Sequence, residues 1–402
     1  IGRLIQQKQI GFFQEAVRWW DRWLKGIENG VEADPAMRAY MLHSAPPDAS
    51  ARHRAGHWVA EDQWPSPNVS ERVLNLLPGR EGAASHEYLG QDETAGFEWV
   101  VSTPQQLGLS AGEFFPTGLH AEMPGDQAAD DARSLCFDGD VLTEPLALLG
   151  AARLRLRLAS DQPLGFVVAR LCDVAPDGTS VRIAHGMLNL CHRRSREAPE
   201  PMKPMTPGVA EEVCLDLDQM AYRIAPGHRL RLALSNSYWP FVWPSPVQGL
   251  LTLTKGSLAL PVYRGGAAWV PPEPEAAPAW AHRVLREGQA RRVVETDMIT
   301  GTQALCVLED GGDVENVTHG LCSGATLSER WEIHPGDPLS AKTTHVWEQR
   351  LSRGEWRVRT EARAVMTADA THLHMQATLT AWEGEAVIFS RDFNEKVRRL
   401  FV

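Results

Sequence analysis

The run from Ala152 to Leu158 reads Ala-Arg-Leu-Arg-Leu-Arg-Leu. Its period of two predicts a strand, with Leu154, Leu156 and Leu158 turned to a core and Arg153, Arg155 and Arg157 to water. The Arg/Leu alternation returns from Arg229 to Ser235, just after the turn residues Pro226 and Gly227. Phe166 to Val174 is a mostly apolar run closed by Ala-Pro-Asp-Gly, where Pro176 and Gly178 supply the turn. Val181 to Leu190 and Val213 to Leu217 read as further strands. Upstream, Met37 to Leu42, His57 to Trp64 and Val73 to Leu77 do too, broken by Pro65, Pro67 and Pro78. Residues 79–130 have little periodicity and are predicted to be long, mostly irregular loops. Short strands joined by turns, without a helical pattern between them, predict a jelly-roll-like β-sandwich over residues 31–262.

Residues 263–290 change character. Gly265, Gly266, Pro271, Pro272, Pro274 and Pro278 predict a stiff, extended linker. Beyond it, residues 291–402 are again strand-rich. His345 to Leu351, Trp356 to Met366, His372 to Trp382 and Ala386 to Phe393 are four consecutive strand candidates. Turns are expected at Arg353-Gly354, Ala368-Asp369 and Glu383-Gly384. The fold class is mainly β, with a second, antiparallel β domain at the C-terminal end.

One stretch departs from this pattern. In residues 10–26, Phe13, Ala16, Val17, Trp20 and Leu24 recur at helical spacing, and Phe12, Trp19 and Trp23 widen the stripe. Asp21 and Lys25 stand one turn apart, acid first, and Gly26 sits where a helix stops. Such a broad aromatic face needs a large partner surface. The helix begins nine residues after Ile1, so much of that surface is expected to lie outside this sequence. Phe13, Trp19, Trp20 and Trp23 are the expected domain-docking residues, and residues 1–30 the segment that carries them.

With 402 residues the chain is long enough for two or three domains with real cores. A net charge of −11 argues against a dedicated nucleic-acid binder, since no basic stripe offsets it. Arg193, Arg194 and Arg196 cluster only briefly, in what reads as a surface loop. The six cysteines lie far apart with no C-x-x-C pair, which favours free thiols, a reducing compartment and a cytoplasmic location. No run approaches the ~18 apolar residues of a membrane span, so no membrane partner is expected.

Candidate chemistry is sparse. No serine is assigned to a strand-to-helix nucleophile elbow, and Ser323 in Leu-Cys-Ser-Gly reads as a loop serine. His372 and His374 point to one face of a strand, where His345 or His334 would be needed to complete a metal set; strand alternation alone produces such a pair, and no metal or cofactor is predicted. Asp138 and Asp140 flank a turn glycine, and neither they nor Asp216 and Asp218 are given a catalytic role. The most unusual loop is Ser-Asn-Ser-Tyr-Trp-Pro-Phe-Val-Trp-Pro-Ser-Pro over residues 235–246. Tyr238, Trp239, Phe241 and Trp243 are candidate substrate-binding residues there, with plugging the end of a sandwich as the equal alternative. In the first case Trp239→Ala changes substrate preference more than stability.

Taken in order, several segments resemble the C-terminal part of the CocE/NonD and X-Pro dipeptidyl-peptidase (S15) family of serine hydrolases. The helix from Gln14 to Gly26 is similar to the last helix of the family's α/β-hydrolase domain. Leu142-Thr143-Glu144-Pro145-Leu146 through Gly150 resembles the entry to its jelly roll. Arg170 to Gly178 with His185-Gly186-Met187-Leu188 resembles its central strand pair, and Pro226 to Leu232 a late strand. The resemblance implies a galactose-binding-like jelly roll that packs on an upstream α/β-hydrolase domain and helps shape its cleft. It also implies a small acyl or peptide substrate and acyl-enzyme chemistry by a Ser, Asp and His of that domain. No triad member transfers to this sequence, so no catalytic residue is named. The resulting expectation is the non-catalytic region of an acyl esterase, acylase or X-Pro dipeptidyl-peptidase, with oligomerisation open. The alternative is a free-standing jelly-roll module that binds carbohydrate or a protein.

Overall fold

The structure is a computed structural model, described over residues 10–79, 87–92, 96–116, 121–194, 201–265 and 268–402. Arg196, Gly266 and residues 1–9 lie outside the described residues. In chain order the elements are α1 (Phe12–Lys25), β1 (Met37–His43), β2 (Gly56–Glu61), β3 (Val69–Leu77), β4 (Glu87–Gly90), β5 (Trp99–Val101), α2 (Ala128–Asp131) and β6 (Leu135–Asp138). There follow β7 (Leu146–Ser160), β8 (Phe166–Val174), β9 (Ser180–Asn189), β10 (Glu211–Ile224), β11 (Arg229–Ser235) and β12 (Leu251–Tyr263). The remainder are β13 (His282–Arg286), β14 (Gln289–Thr296), β15 (Gln303–Asn316), β16 (Leu321–His334), β17 (Asp337–Arg353), β18 (Trp356–Ala368), β19 (His372–Glu383) and β20 (Ala386–Arg398).

Strands β1 to β12 form one sheet in the order β2-β1-β10-β7-β12-β3-β4-β6-β11-β8-β9, with β5 also beside β12. Its pairs are antiparallel except β1 with β10 and β4 with β6. Leu154, Leu156 and Leu158 of β7 are buried, as their alternation predicts, while Arg153, Arg155 and Arg157 are exposed. These leucines share one buried cluster with Leu215 of β10, Phe137 of β6, Leu232 of β11 and Ala169 of β8. Strands from both ends of the path therefore meet in a single core, and the sheet closes over as a β-sandwich. The approach is close at Gly186 of β9, where a Cβ would lie 2.8 Å from the Asp216 carbonyl of β10. Any side chain there would force the layers apart.

The second sheet runs β13-β15-β16-β17-β18-β19-β20, with β14 also beside β15. Each strand from β15 to β20 pairs antiparallel with its sequence neighbour, the meander expected from the turn residues. Gly354 and Gly384 sit at φ +61° and +58°, a region only glycine enters freely. This sheet has two unlike faces. Leu327, Trp347, Ala362 and Leu379 form one cross-strand row, whereas Ser328, Val346, Arg363, Thr378 and Asp392 lie in a row on the other face. Its apolar face is covered mainly at one end, where Ile333 and Ala341 are buried against Trp239 of the first sheet's loop. Every residue of β13 and β20 is exposed. Among the described residues, no helix is long and apolar enough to cross a membrane.

Several sequence expectations are corrected. Residues 79–130 hold β4, β5 and α2 as well as loops, and β13 lies inside the stretch predicted as linker. Ser323 is within strand β16, not a loop. Arg231 does not continue the outward alternation; it is buried. Arg193 is buried too, donating to the Leu190 and Lys203 carbonyls and pairing with Glu211 at 2.6 Å.

Candidate functional site

Helix α1 forms where its stripe predicts and ends at Gly26, whose φ of +68° lets Gly26 and Ile27 donate back to the Arg22 and Asp21 carbonyls. Its orientation is inverted relative to an ordinary surface helix. The polar side faces the rest of the chain: Glu15 pairs with Arg38 at 3.0 Å, Arg18 with Asp34 and Arg22 with Glu32. The Gln14 side chain accepts from the Glu275 amide at 2.9 Å, tying the 264–281 connection to the helix. The apolar side points outward, leaving Phe13 64%, Trp19 49%, Trp20 55% and Trp23 52% exposed. Half-uncovered, the three tryptophans alone present roughly 350 Å² of ring surface, worth about 9 kcal/mol if fully buried. No residue of α1 is buried.

The aromatic loop lies elsewhere, and among the described residues no ring contact joins it to α1. Tyr238 and Trp239 are each 1% exposed. The Tyr238 hydroxyl takes a 2.6 Å bond from Arg182, and the Trp239 amide donates to the Leu107 carbonyl at 2.7 Å. Gly108 (φ +111°) lets the two backbones touch, since a Cβ there would lie 2.6 Å from the Trp239 carbonyl oxygen. The Trp239 ring packs against Trp243 at 5.5 Å and Trp331 at 5.9 Å. This burial makes stability, rather than substrate preference, the first property Trp239→Ala changes. Phe241 is different. With Pro240 it lines a cleft of about 470 Å³ between the first sheet's loops and strands β14 to β16.

Phe114, Phe115 and Trp331 share that cleft with four carboxylates and Arg292. Arg292 reaches Glu113, Glu122 at 3.1 Å and Glu309. Burial raises the Glu113 and Glu122 carboxyls above their ordinary range, against the pull of Arg292. Glu329 accepts from the Trp331 indole at 2.9 Å and pairs with His345. The cleft is polar, aromatic and net acidic, but it holds no nucleophile beside a base.

Two buried networks were not read from the sequence. Arg170, wholly buried, forms an ion pair with Asp131 at 2.9 Å and donates to Gln127 at 3.2 Å and Ser134 at 3.0 Å. Arg231 bonds Asp131 at 3.1 Å and grips Asp138 with two bonds of 2.7 and 2.8 Å. In the second network, Asp173 accepts from Ser44 at 2.5 Å and Tyr222 at 3.0 Å and lies 2.7 Å from His228 Nδ1. A Ser, an Asp and a His meet there in the wrong order: a base must stand between nucleophile and acid, and here the carboxylate does. The Arg170–Gly178 and Pro226–Leu232 segments thus supply structural pairs. His374 bonds Asp369 at 2.8 Å, His345 packs on Trp331, and among the described residues no group of three or more His, Cys, Asp or Glu is placed to hold a metal.

The family described as the X-Pro dipeptidyl-peptidase C-terminal non-catalytic domain matches residues 29–295, about two thirds of the chain. A protein named as a serine esterase from Mycobacterium bovis is 25% identical over 244 residues, 56% of this chain and 36% of its own length. A cocaine esterase from Rhodococcus is 25% identical over 232 residues, 55% of this chain and 37% of its own. The match thus spans little more than a third of these relatives. A CocE/NonD family hydrolase structure from Staphylococcus aureus aligns with 63% of this chain and 45% of its own at 12% identity, with a TM-score of 0.45, too low to bear on the fold. On the match over residues 29–295, the chain belongs to the X-Pro dipeptidyl-peptidase C-terminal non-catalytic domain family.

Proposed function

We propose that this chain is the non-catalytic C-terminal region of a serine hydrolase, of the acyl esterase, acylase or X-Pro dipeptidyl-peptidase type. It packs on an α/β-hydrolase domain through Phe13, Trp19, Trp20 and Trp23 and helps shape the substrate cleft. The observation that carries this reading is the inverted helix: the chain satisfies the polar side of α1 and leaves its aromatic side bare. A free-standing binding module has no use for such a face. Residues 1–30 then belong structurally with the catalytic domain, and residues 31–262 form a jelly roll of the galactose-binding-like kind. Residues 291–402 form a further β domain. The catalytic domain supplies the nucleophile and acyl-enzyme chemistry. Phe241, exposed to the cleft and seated on Tyr238, is the member of the aromatic loop best placed to meet a small acyl or peptide substrate, with Trp239 and Trp243 holding the loop. Six unpaired cysteines support a reducing, cytoplasmic setting.

The test is an activity comparison. The chain alone should neither hydrolyse p-nitrophenyl acyl esters or Ala-Pro-anilides nor label with a fluorophosphonate. The parent hydrolase should do both, and Trp20→Asp with Trp23→Asp should lower its turnover. Labelling of the isolated chain overturns the reading.

A further inference from the structure

Strand β20 is the last strand of the second sheet, pairing with β19 on one side. Among the described residues nothing pairs with its other side, and all thirteen of its residues are exposed. Native sheets normally blunt such an edge with proline, a bulge or dense charge. Here the strand contains neither proline nor glycine, its register irregularity is confined to Val387–Phe389, and the charges that follow, Arg391, Asp392, Glu395, Lys396 and Arg398, are of both signs. Its C-terminal end is fixed: Arg399 donates to the Pro244 carbonyl and the Asn189 side chain to the Phe401 carbonyl at 2.7 Å. From Phe389 to Val397 the edge is regularly paired with β19, and its C-terminal end is held in place.

We infer that β20 pairs antiparallel with β20 of a second copy of this chain, on a two-fold axis through Phe393. A two-fold perpendicular to the sheet sets each side chain opposite one on the same face, which restricts the register to alternate residues. On the face shared with Leu379 and Trp347, β20 reads Phe389, Arg391, Phe393, Glu395, Val397. That order is self-complementary about its centre. Phe393 meets Phe393, each Phe389 meets Val397, and each Arg391 meets Glu395, giving two ion pairs and three apolar pairs. On the other face Asp392 meets Asn394 and Ser390 meets Lys396, with no like charges opposed. Neighbouring registers fail. Centring on Asp392 opposes two carboxylates, and centring on Asn394 sets Phe393 against Glu395 and Val397 against Arg391. Within the chain Arg391 lies over the Phe393 ring, and among the described residues neither Arg391 nor Glu395 has an ion-pair partner of its own. Phe389, Phe393 and Val397 remain 47%, 39% and 45% exposed. Pairing would join the two eight-stranded sheets into one and extend the apolar rows across the axis.

The experiment is a charge-reversal cycle on the full 402-residue chain, read by sedimentation equilibrium over a range of concentrations. The wild type should be dimeric. Arg391→Glu alone and Glu395→Arg alone each turn two attractive pairs into repulsive ones and should weaken the dimer roughly tenfold or more. The double variant should restore it. Folding of each variant is checked by circular dichroism, and because both residues are exposed, the native spectrum should persist. A monomeric wild type, or a dimer indifferent to the single reversals, overturns the pairing; indifference is also the result expected if association runs through α1.

Discussion

Residues 37–263 and 282–398 are both built mainly from antiparallel strand pairs with alternating side chains, yet they handle their apolar faces differently. In the first sheet the pairing order departs from chain order, so strands from both ends of the path pack across from one another and Leu154, Leu156 and Leu158 lie in a closed core. In the second, each strand from β15 onward lies beside the one before it. A meander makes a single layer, and its row of Leu327, Trp347 and Leu379 is covered mainly where Trp239 meets Ile333 and Ala341. Alternation writes the strand, but connectivity decides whether a sheet can cover itself. Among the described residues, apolar side chains stay exposed on the second sheet as on α1.

The largest effect should come from the first sheet's buried charges. Asp131→Ala leaves Arg170 and Arg231 without their shared carboxylate and should cost about 3–5 kcal/mol in urea-induced unfolding. A loss under about 1 kcal/mol would mean that water or another group replaces it. Next is a matched pair of truncations. Leu156→Ala in the closed core should cost about 3 kcal/mol. Met375→Ala on the open face should cost under about 1 kcal/mol. Equal costs would show that something in the chain covers the second sheet after all.

The smallest effect is a pH response confined to the second sheet. The Asp310 carboxyl is held at about 2, chiefly by hydrogen bonds from Arg286, which ties β13 to β15. A carboxyl lowered on folding stabilises the fold above its ordinary value near 3.9, and that contribution disappears as pH falls toward 2. Glu113 and Glu122, raised by burial, act in the opposite sense and favour the folded state in acid. Hydrogen exchange at β13 should therefore speed up between about pH 4 and 2 while the cleft residues stay protected, and Asp310→Asn should abolish the change. Uniform acid loosening of both regions would contradict this division.

These differences explain what the sequence could disclose. The strand of Leu154 to Leu158, the turns at Gly354 and Gly384 and the stop of α1 at Gly26 depend on residues a few positions apart, and each was legible. Arg231 was not, because its burial rests on Asp131, 100 positions away, in a stretch with no periodicity. The loop from Tyr238 to Trp243 announced itself by composition. Its use did not, since what covers Trp239 comes from Ile333 and Ala341, roughly a hundred residues later. The tryptophans of α1 are the reverse case: their spacing made the helix legible, while what covers their exposed face is not written in any local pattern.

That face offers the most direct test. Hydroxyl-radical footprinting can report Trp19, Trp20 and Trp23 one by one, in the isolated chain and in the parent hydrolase. All three should be oxidised readily in the isolated chain and strongly protected in the parent, with Trp239 protected in both. Equal oxidation of the three helix tryptophans in the two proteins would show that no catalytic domain docks there.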